Sequence, residues 1–178
     1  MNSFKEICFR TDSKDPFEIL QLMISQPDVP MHGPVHHILD GAAFMTAMHN
    51  AGVEFDLDKA LDELAERGAQ MPGATCGKWG VCGAAASVGA ALAVIHGTGP
   101  LSDSEYYKDN LRLTSRILAR IAEHGGPRCC KRNGFTALDT AVDFVKEIYG
   151  ISLDKQTYLC KYSQHNPQCI GTRCPYHK

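Results

Sequence analysis

Residues 83–93 read GAAASVGAALA, a run in which only Val88 and Leu92 are larger than serine. Alanine is the strongest helix former, and a helix with such small side chains can be approached closely on every side. Such a segment belongs at the middle of a helical body rather than on its surface. It predicts an all-α fold, a compact bundle of about six helices packed around this Gly/Ala-rich centre.

Apolar spacings of three and four mark the other helices. DPFEILQLMISQ, residues 15–26, has an early proline and sets Phe17, Leu20 and Ile24 on one face. Pro34 opens VHHILDGAAFMTAMHNAG, with Ile38, Ala42 and Met45 inward. Asp56 caps LDKALDELAERGAQ, which turns Leu57, Leu61 and Leu64 to the core. A long helix starts at Ser102 or Asp103, carries Leu111, Thr114, Ile117, Leu118 and Ile121 as its buried stripe, and ends at His124-Gly125-Gly126. The last begins near Cys130, with Phe135, Leu138, Val142 and Val145 in register. Strand-like alternation is nearly absent. Trp79 reads as packing and residues 58–67 as a solvated charged face. Past Gly150 the periodicity stops, and residues 151–178 hold three cysteines, two prolines and two histidines. Two units follow: a helical body, 1–150, and a Cys-rich C-terminal appendage, 151–178. The appendage has little apolar area with which to order itself, so it docks on the body or is folded by a metal.

A 44% apolar and 21% charged composition is that of an ordinary soluble domain, and a net charge of -2 gives no basic footprint for nucleic acid or an anionic membrane. The amino terminus MNSFKEICFRTDSKD has scattered charges and no apolar core, so no secretory leader is expected. The longest uncharged run, between Lys78 and Asp103, is too small-sided and too short in its helical part to suit a bilayer. The expectation is a cytoplasmic protein. Against that background eight cysteines stand out. A reducing compartment disfavours a disulfide framework and favours metal, cluster or reactive-thiol chemistry.

Four elements carry that chemistry. In GATCGKWGVCG the glycines let the backbone approach a bulky group, and the following helix offers free N–H groups and a positive dipole end. The spacing is not that of a Walker loop. Gly77 and Gly80 would cradle a cofactor that Cys76 and Cys82 ligate, although Cys82 also reads as a small core residue. In GGPRCCKRNG the vicinal pair Cys129 and Cys130 is badly placed to close a disulfide. Arg128, Lys131, Arg132 and a helix N-terminus favour thiolate there, which predicts lowered thiol pKa values. In MHGPVHHILD, His32 and His36 are candidate bases or ligands, and His36 stands one turn before Asp40, in reach of a hydrogen bond. His37 reads as a core histidine. Cys160, Cys169 and Cys174 are spaced C-x8-C-x4-C-P, which suits an iron–sulfur cluster, or zinc with His165 or His177 added. Cys8 stands alone.

From about Met31 to Pro175 the chain resembles a family of uncharacterised cysteine-rich domains of anaerobic bacteria and archaea. The resemblance is carried by M-H-G-P-x-H-H, P-G-x-x-C-G-x-W-G-x-C-G-A, E-H-G-G-P-R-C-C-K-R and C-x-G-x-R-C-P. In that family the blocks sometimes stand beside a methyltransferase domain. Over about sixty residues the chain is also similar to the iron–sulfur segment of bacterial L-serine dehydratases. That likeness implies a [4Fe-4S] cluster held by three cysteines with one iron open as a Lewis acid, Cys76 matching the first ligand and Cys129 the last. At the middle ligand's place this chain reads SRILARIAEHGG, so Cys82 or Cys130 would stand in.

The leading expectation is therefore an iron–sulfur enzyme with lyase-like or sulfur-related chemistry on a small-molecule substrate. Cys76, Cys82, Cys129 and Cys130 converge at two helix mouths, His32 and His36 lie near, and Arg128 and Lys131 flank the site. The tail cysteines form a separate site or close over the first. A non-catalytic module, stapled by zinc or a cluster and serving a partner such as a methyltransferase, is the alternative. A third reading is a metal-free thiol enzyme, with Cys130 as nucleophile and His36, oriented by Asp40, as base.

Overall fold

The computed structural model describes residues 3–178; the first two positions of the expected body lie outside them. The fold is all-α. Among the described residues eight α-helices follow one another: α1 (Ser3–Arg10), α2 (Pro16–Ile24), α3 (His36–Asn50), α4 (Leu57–Gln70), α5 (Thr75–Lys78), α6 (Gly83–Ile95), α7 (Glu105–His124) and α8 (Cys130–Tyr149). Two short 3-10 turns, Ser163–His165 and Gly171–Arg173, interrupt the tail, and no strand occurs among the described residues. The two helices beyond the expected six are short. α5 is a single turn with no period to read, and α1 sinks only Phe4 and Cys8 into the core.

The caps follow the local chemistry. The Asp15 carboxylate accepts the Phe17 N–H at 2.8 Å ahead of Pro16, and Asp56 accepts the Lys59 N–H at 3.1 Å. α6 sits among α3, α4, α7 and α8, as its small side chains require. α3 is its equal at the centre: every residue from 36 to 48 is buried, because α1, α2, α4, α6 and α8 surround it. The single inward face expected from its periodicity is thus too narrow.

α3 and α6 meet at close range, with only the small Ser87 side chain facing the Gly41 backbone. The Gly41 N–H donates to Ser87 Oγ at 2.8 Å, and a Cβ on Gly41 would stand 2.5 Å from the Ser87 carbonyl oxygen. At the start of α6 the His37 ring occupies the space a Cβ on Gly83 would need. On α7 the buried stripe is Leu113 and Ile117; Leu111, ~200° away round the helix, is 59% exposed. Trp79 is 66% exposed on the turn after α5, so it packs nothing.

The tail is tied down at several places. The second oxygen of Asp15 accepts the Gln156 N–H at 3.0 Å, so one carboxylate caps α2 and anchors the tail. Lys155 pairs with Asp139 and Asp143 of α8. Tyr158 then stacks on Phe135 with ring centroids 3.6 Å apart, and Tyr176 leans on the same ring at 5.8 Å. No helix of the described residues is long and apolar enough to cross a membrane.

Gly41→Ala is expected to lower stability by about 1–3 kcal/mol through overpacking of the α3–α6 contact. Urea unfolding followed by helical circular dichroism checks this; an unchanged midpoint would show that the two helices can part at no cost.

Candidate functional site

Cys129 is the N-cap residue of α8 and Cys130 its first helical residue. Cys129 keeps an extended backbone (φ -145°, ψ 107°) while Cys130 has turned into the helix, so the two side chains leave the chain in different directions. They face two different cavities.

Cys129 lines a small, largely enclosed cavity with Cys160, Cys169 and Cys174 of the tail, beside Lys131 and Asn166. All four sulfurs accept backbone N–H groups. Tyr162 donates to Cys160 at 3.3 Å, Gly171 to Cys169 at 3.4 Å and Tyr176 to Cys174, in each case from two residues ahead. Cys129 accepts the Arg132 N–H at 3.4 Å, in the place usually taken by an aspartate or serine oxygen, and Asn166 Nδ2 at 3.6 Å. Lys131 is only 2% exposed. Its ammonium donates to the Pro30 carbonyl at 3.2 Å and lies 4.8 Å from the Tyr162 ring centre. Burial lowers its pKa, and the neighbouring Cys129, Cys130, Asp40 and Cys160 oppose that shift.

Cys130 faces the other way, into a narrow space shared with Cys76, Cys82, His36, Asp40 and Asn133. Cys76, Cys82, Arg128 and Asn133 also border an adjoining cavity of about 330 Å³, whose floor includes Gly77, Gly80 and Leu118. Asn133 Nδ2 donates to Cys82 at 3.3 Å, and the Ala84 and Ala85 N–H groups at the mouth of α6 do the same. The Gly33 N–H reaches Cys130. The seven expected ligands are thus divided, with Cys129 on the tail side and Cys76, Cys82 and Cys130 on the other. Among the described residues no three His, Cys, Asp or Glu side chains close on one point as the ligands of a single ion do.

His32 bridges the two regions. Its Nδ1 accepts the Cys130 N–H at 3.3 Å, so its protonated Nε2 donates to Asn166 Oδ1 at 3.1 Å, the arrangement of a neutral imidazole. Burial lowers its pKa, and the charges of Arg128, Lys131 and Arg132 add to this. His36 Nε2 donates to the Pro30 carbonyl at 3.1 Å. The expected His36–Asp40 hydrogen bond is not formed: Nδ1 of His36 and both oxygens of Asp40 are buried without a partner. Helix α3 aims the imidazole back at the loop carbonyl and leaves the carboxylate over α8. Burial pushes Asp40 well above the usual carboxylate range, with Lys131 as the opposing charge, and depresses His36 to about 4. The lowered thiol pKa values expected at Cys129 and Cys130 are also corrected. Burial outweighs the cations and the helix end, raising Cys129 and taking Cys130 to about 11.

The Family of unknown function (DUF5714) has a model that matches residues 4–177, body and tail together. The chain belongs to DUF5714. No curated protein and no solved structure matches it. In this DUF5714 chain the sequence reasoning missed Asn166 and Asn133, which hold thiols from opposite sides, and the Tyr158–Phe135–Tyr176 stack, which seats the tail. Asparagines give no periodic signal. The three aromatics are one partner apart in space but far apart in sequence.

His36 makes acid destabilise the metal-free DUF5714 protein. Its folded pKa lies below the unfolded value, so its contribution is present above about pH 6.5 and is lost as pH falls toward 4. Between about pH 7 and pH 4 the wild type should lose roughly 3 kcal/mol more than His36→Gln, read from urea midpoints at each pH. Equal losses in the two proteins would show that His36 is free to protonate in the fold.

Proposed function

We propose that the chain is an iron–sulfur protein, with Cys129, Cys160, Cys169 and Cys174 as the ligands of one cluster. The observation that carries this reading is the set of four thiols around a common cavity, each accepting a backbone N–H. Hydrogen bonds of that kind serve a bound thiolate and tune a cluster's potential. A single zinc ion with Zn–S bonds of ~2.3 Å draws its sulfurs to ~3.8 Å of one another. Four thiols line one cavity here, and a polynuclear group bound through all four is the occupant this reading assigns to it. An iron–sulfur cluster supplies electron storage or, where an iron keeps an open position, a Lewis acid.

The chain's own residues have distinct parts in this reading. Tyr162, Gly171, Tyr176 and Arg132 supply N–H donors to sulfur, Lys131 offsets negative charge, and the tyrosine stack on Phe135 keeps water off. A fully thiolate-ligated site has no room for a substrate. Lyase-like or sulfur chemistry belongs to the other compartment, where about 330 Å³ adjoins Cys76 and Cys82 and Arg128 presents a guanidinium to an anionic small molecule.

Iron and acid-labile sulfide are measured on protein purified without oxygen, with an absorption spectrum. A brown protein with a band near 400 nm is expected, and Cys160→Ser/Cys174→Ser should lose about four irons and four sulfides per chain. Zinc without sulfide would overturn this reading and support a zinc-stapled interaction module.

A further inference from the structure

The tail cluster takes none of Cys76, Cys82 and Cys130, and these share their space with two groups that a folded chain does not normally leave bare. Asp40 and His36 are each 1% exposed. Neither carboxylate oxygen of Asp40 has a hydrogen-bond partner, and neither does Nδ1 of His36. Asp40 Oδ1 rests against α8, 2.5 Å from where a Cβ on Gly134 would stand, and its carboxyl borders the same narrow space as Cys82 and Cys130. Lys131, the nearest opposing charge, spends its hydrogen bond on the Pro30 carbonyl. In the metal-free protein such a buried carboxyl stays protonated, and it becomes a charged oxygen ligand only where a cation is supplied.

We propose that Cys76, Cys82 and Cys130 hold a second iron–sulfur cluster, with the Asp40 carboxylate as the oxygen ligand of its fourth iron. The thiols are prepared as the tail thiols are. Cys82 accepts N–H groups from Ala84, Ala85 and Asn133, and Cys130 accepts one from Gly33. A cluster spreads the negative charge of three thiolates and a carboxylate over several irons. Arg128 at the wall and Lys131 behind it offset the remainder. Division of neighbouring cysteines between two clusters is established chemistry in two-cluster ferredoxins. The two sites share no ligand, so this inference does not rest on the tail cluster.

The test is iron and sulfide stoichiometry with electron paramagnetic resonance, on protein prepared without oxygen and checked for native helix content. The wild type should carry about eight irons and eight sulfides, and both Cys82→Ser/Cys130→Ser and Cys160→Ser/Cys174→Ser should carry about four of each. Reduced wild type should show two interacting spins, and each double variant only one. Asp40→Ala keeps every thiol; it should lose about one iron per chain and show the oxidised signal of a three-iron cluster. About four irons in the wild type, unchanged in Cys82→Ser/Cys130→Ser, would overturn the second cluster and leave the tail reading standing. Iron lost in Cys82→Ser/Cys130→Ser but kept in Cys160→Ser/Cys174→Ser would overturn the tail reading and support this one. A single metal ion bound there without sulfide overturns the cluster, and an unaltered iron count and spectrum in Asp40→Ala overturns its ligand role.

Discussion

Helices α3 and α6 touch backbone to side chain at Gly41 and Ser87, and most of the molecule is arranged by that contact. It draws the N-terminal end of α6 onto α3, so Cys82 and Gly83 arrive beside His36, His37 and Asp40. α8 packs on both helices and delivers Cys130 to the same place. With larger residues at positions 41 and 83, α3 and α6 would stand apart and this polar, thiol-rich space would open to water. The small-residue run thus sets the dryness of the compartment as well as its shape.

Dryness governs the electrostatics. Burial is the largest influence on Cys82, Cys129, Cys130 and Cys174, and in each it favours the thiol. The backbone works in the opposite sense, since every one of these sulfurs has an N–H directed at it. A neutral thiol makes poor use of such donors, while a thiolate bound to a cation uses them fully. The same conflict appears at Asp40, a carboxylate position with no counter-charge in contact. If these thiols take a metal as proposed, loading it expels their protons, and binding and folding are then linked through pH.

How much of this was legible in the sequence depends on the range of the interaction involved. The cap at Asp56, the early proline of α2 and the terminus at Gly150 are local events, and local residues announced them; the second role of Asp15, holding the tail, was not among them. The central place of α6 followed from side-chain size alone. The all-round burial of α3 did not, because a helix's moment reports one preferred face and not the number of neighbours. Leu111 misled because leucine spacing fitted two adjacent stripes and only packing against α6 chooses between them. Trp79 misled because an aromatic is a poor guide to burial on a tight turn. At the site, cysteine positions were plain, but their partition was not. It depends on one change of backbone conformation between Cys129 and Cys130, and on a tail whose docking is decided by Phe135, contacts to which no spacing points.

That change of conformation has a mechanical consequence. A single peptide plane, stiff against twisting, joins the two residues that look into the two compartments. The walls of both compartments therefore meet at the first turn of α8, where His32 accepts the N–H of that same plane. A shift of the backbone there is felt on both sides, while rotation about each Cα–Cβ bond lets either sulfur adjust on its own.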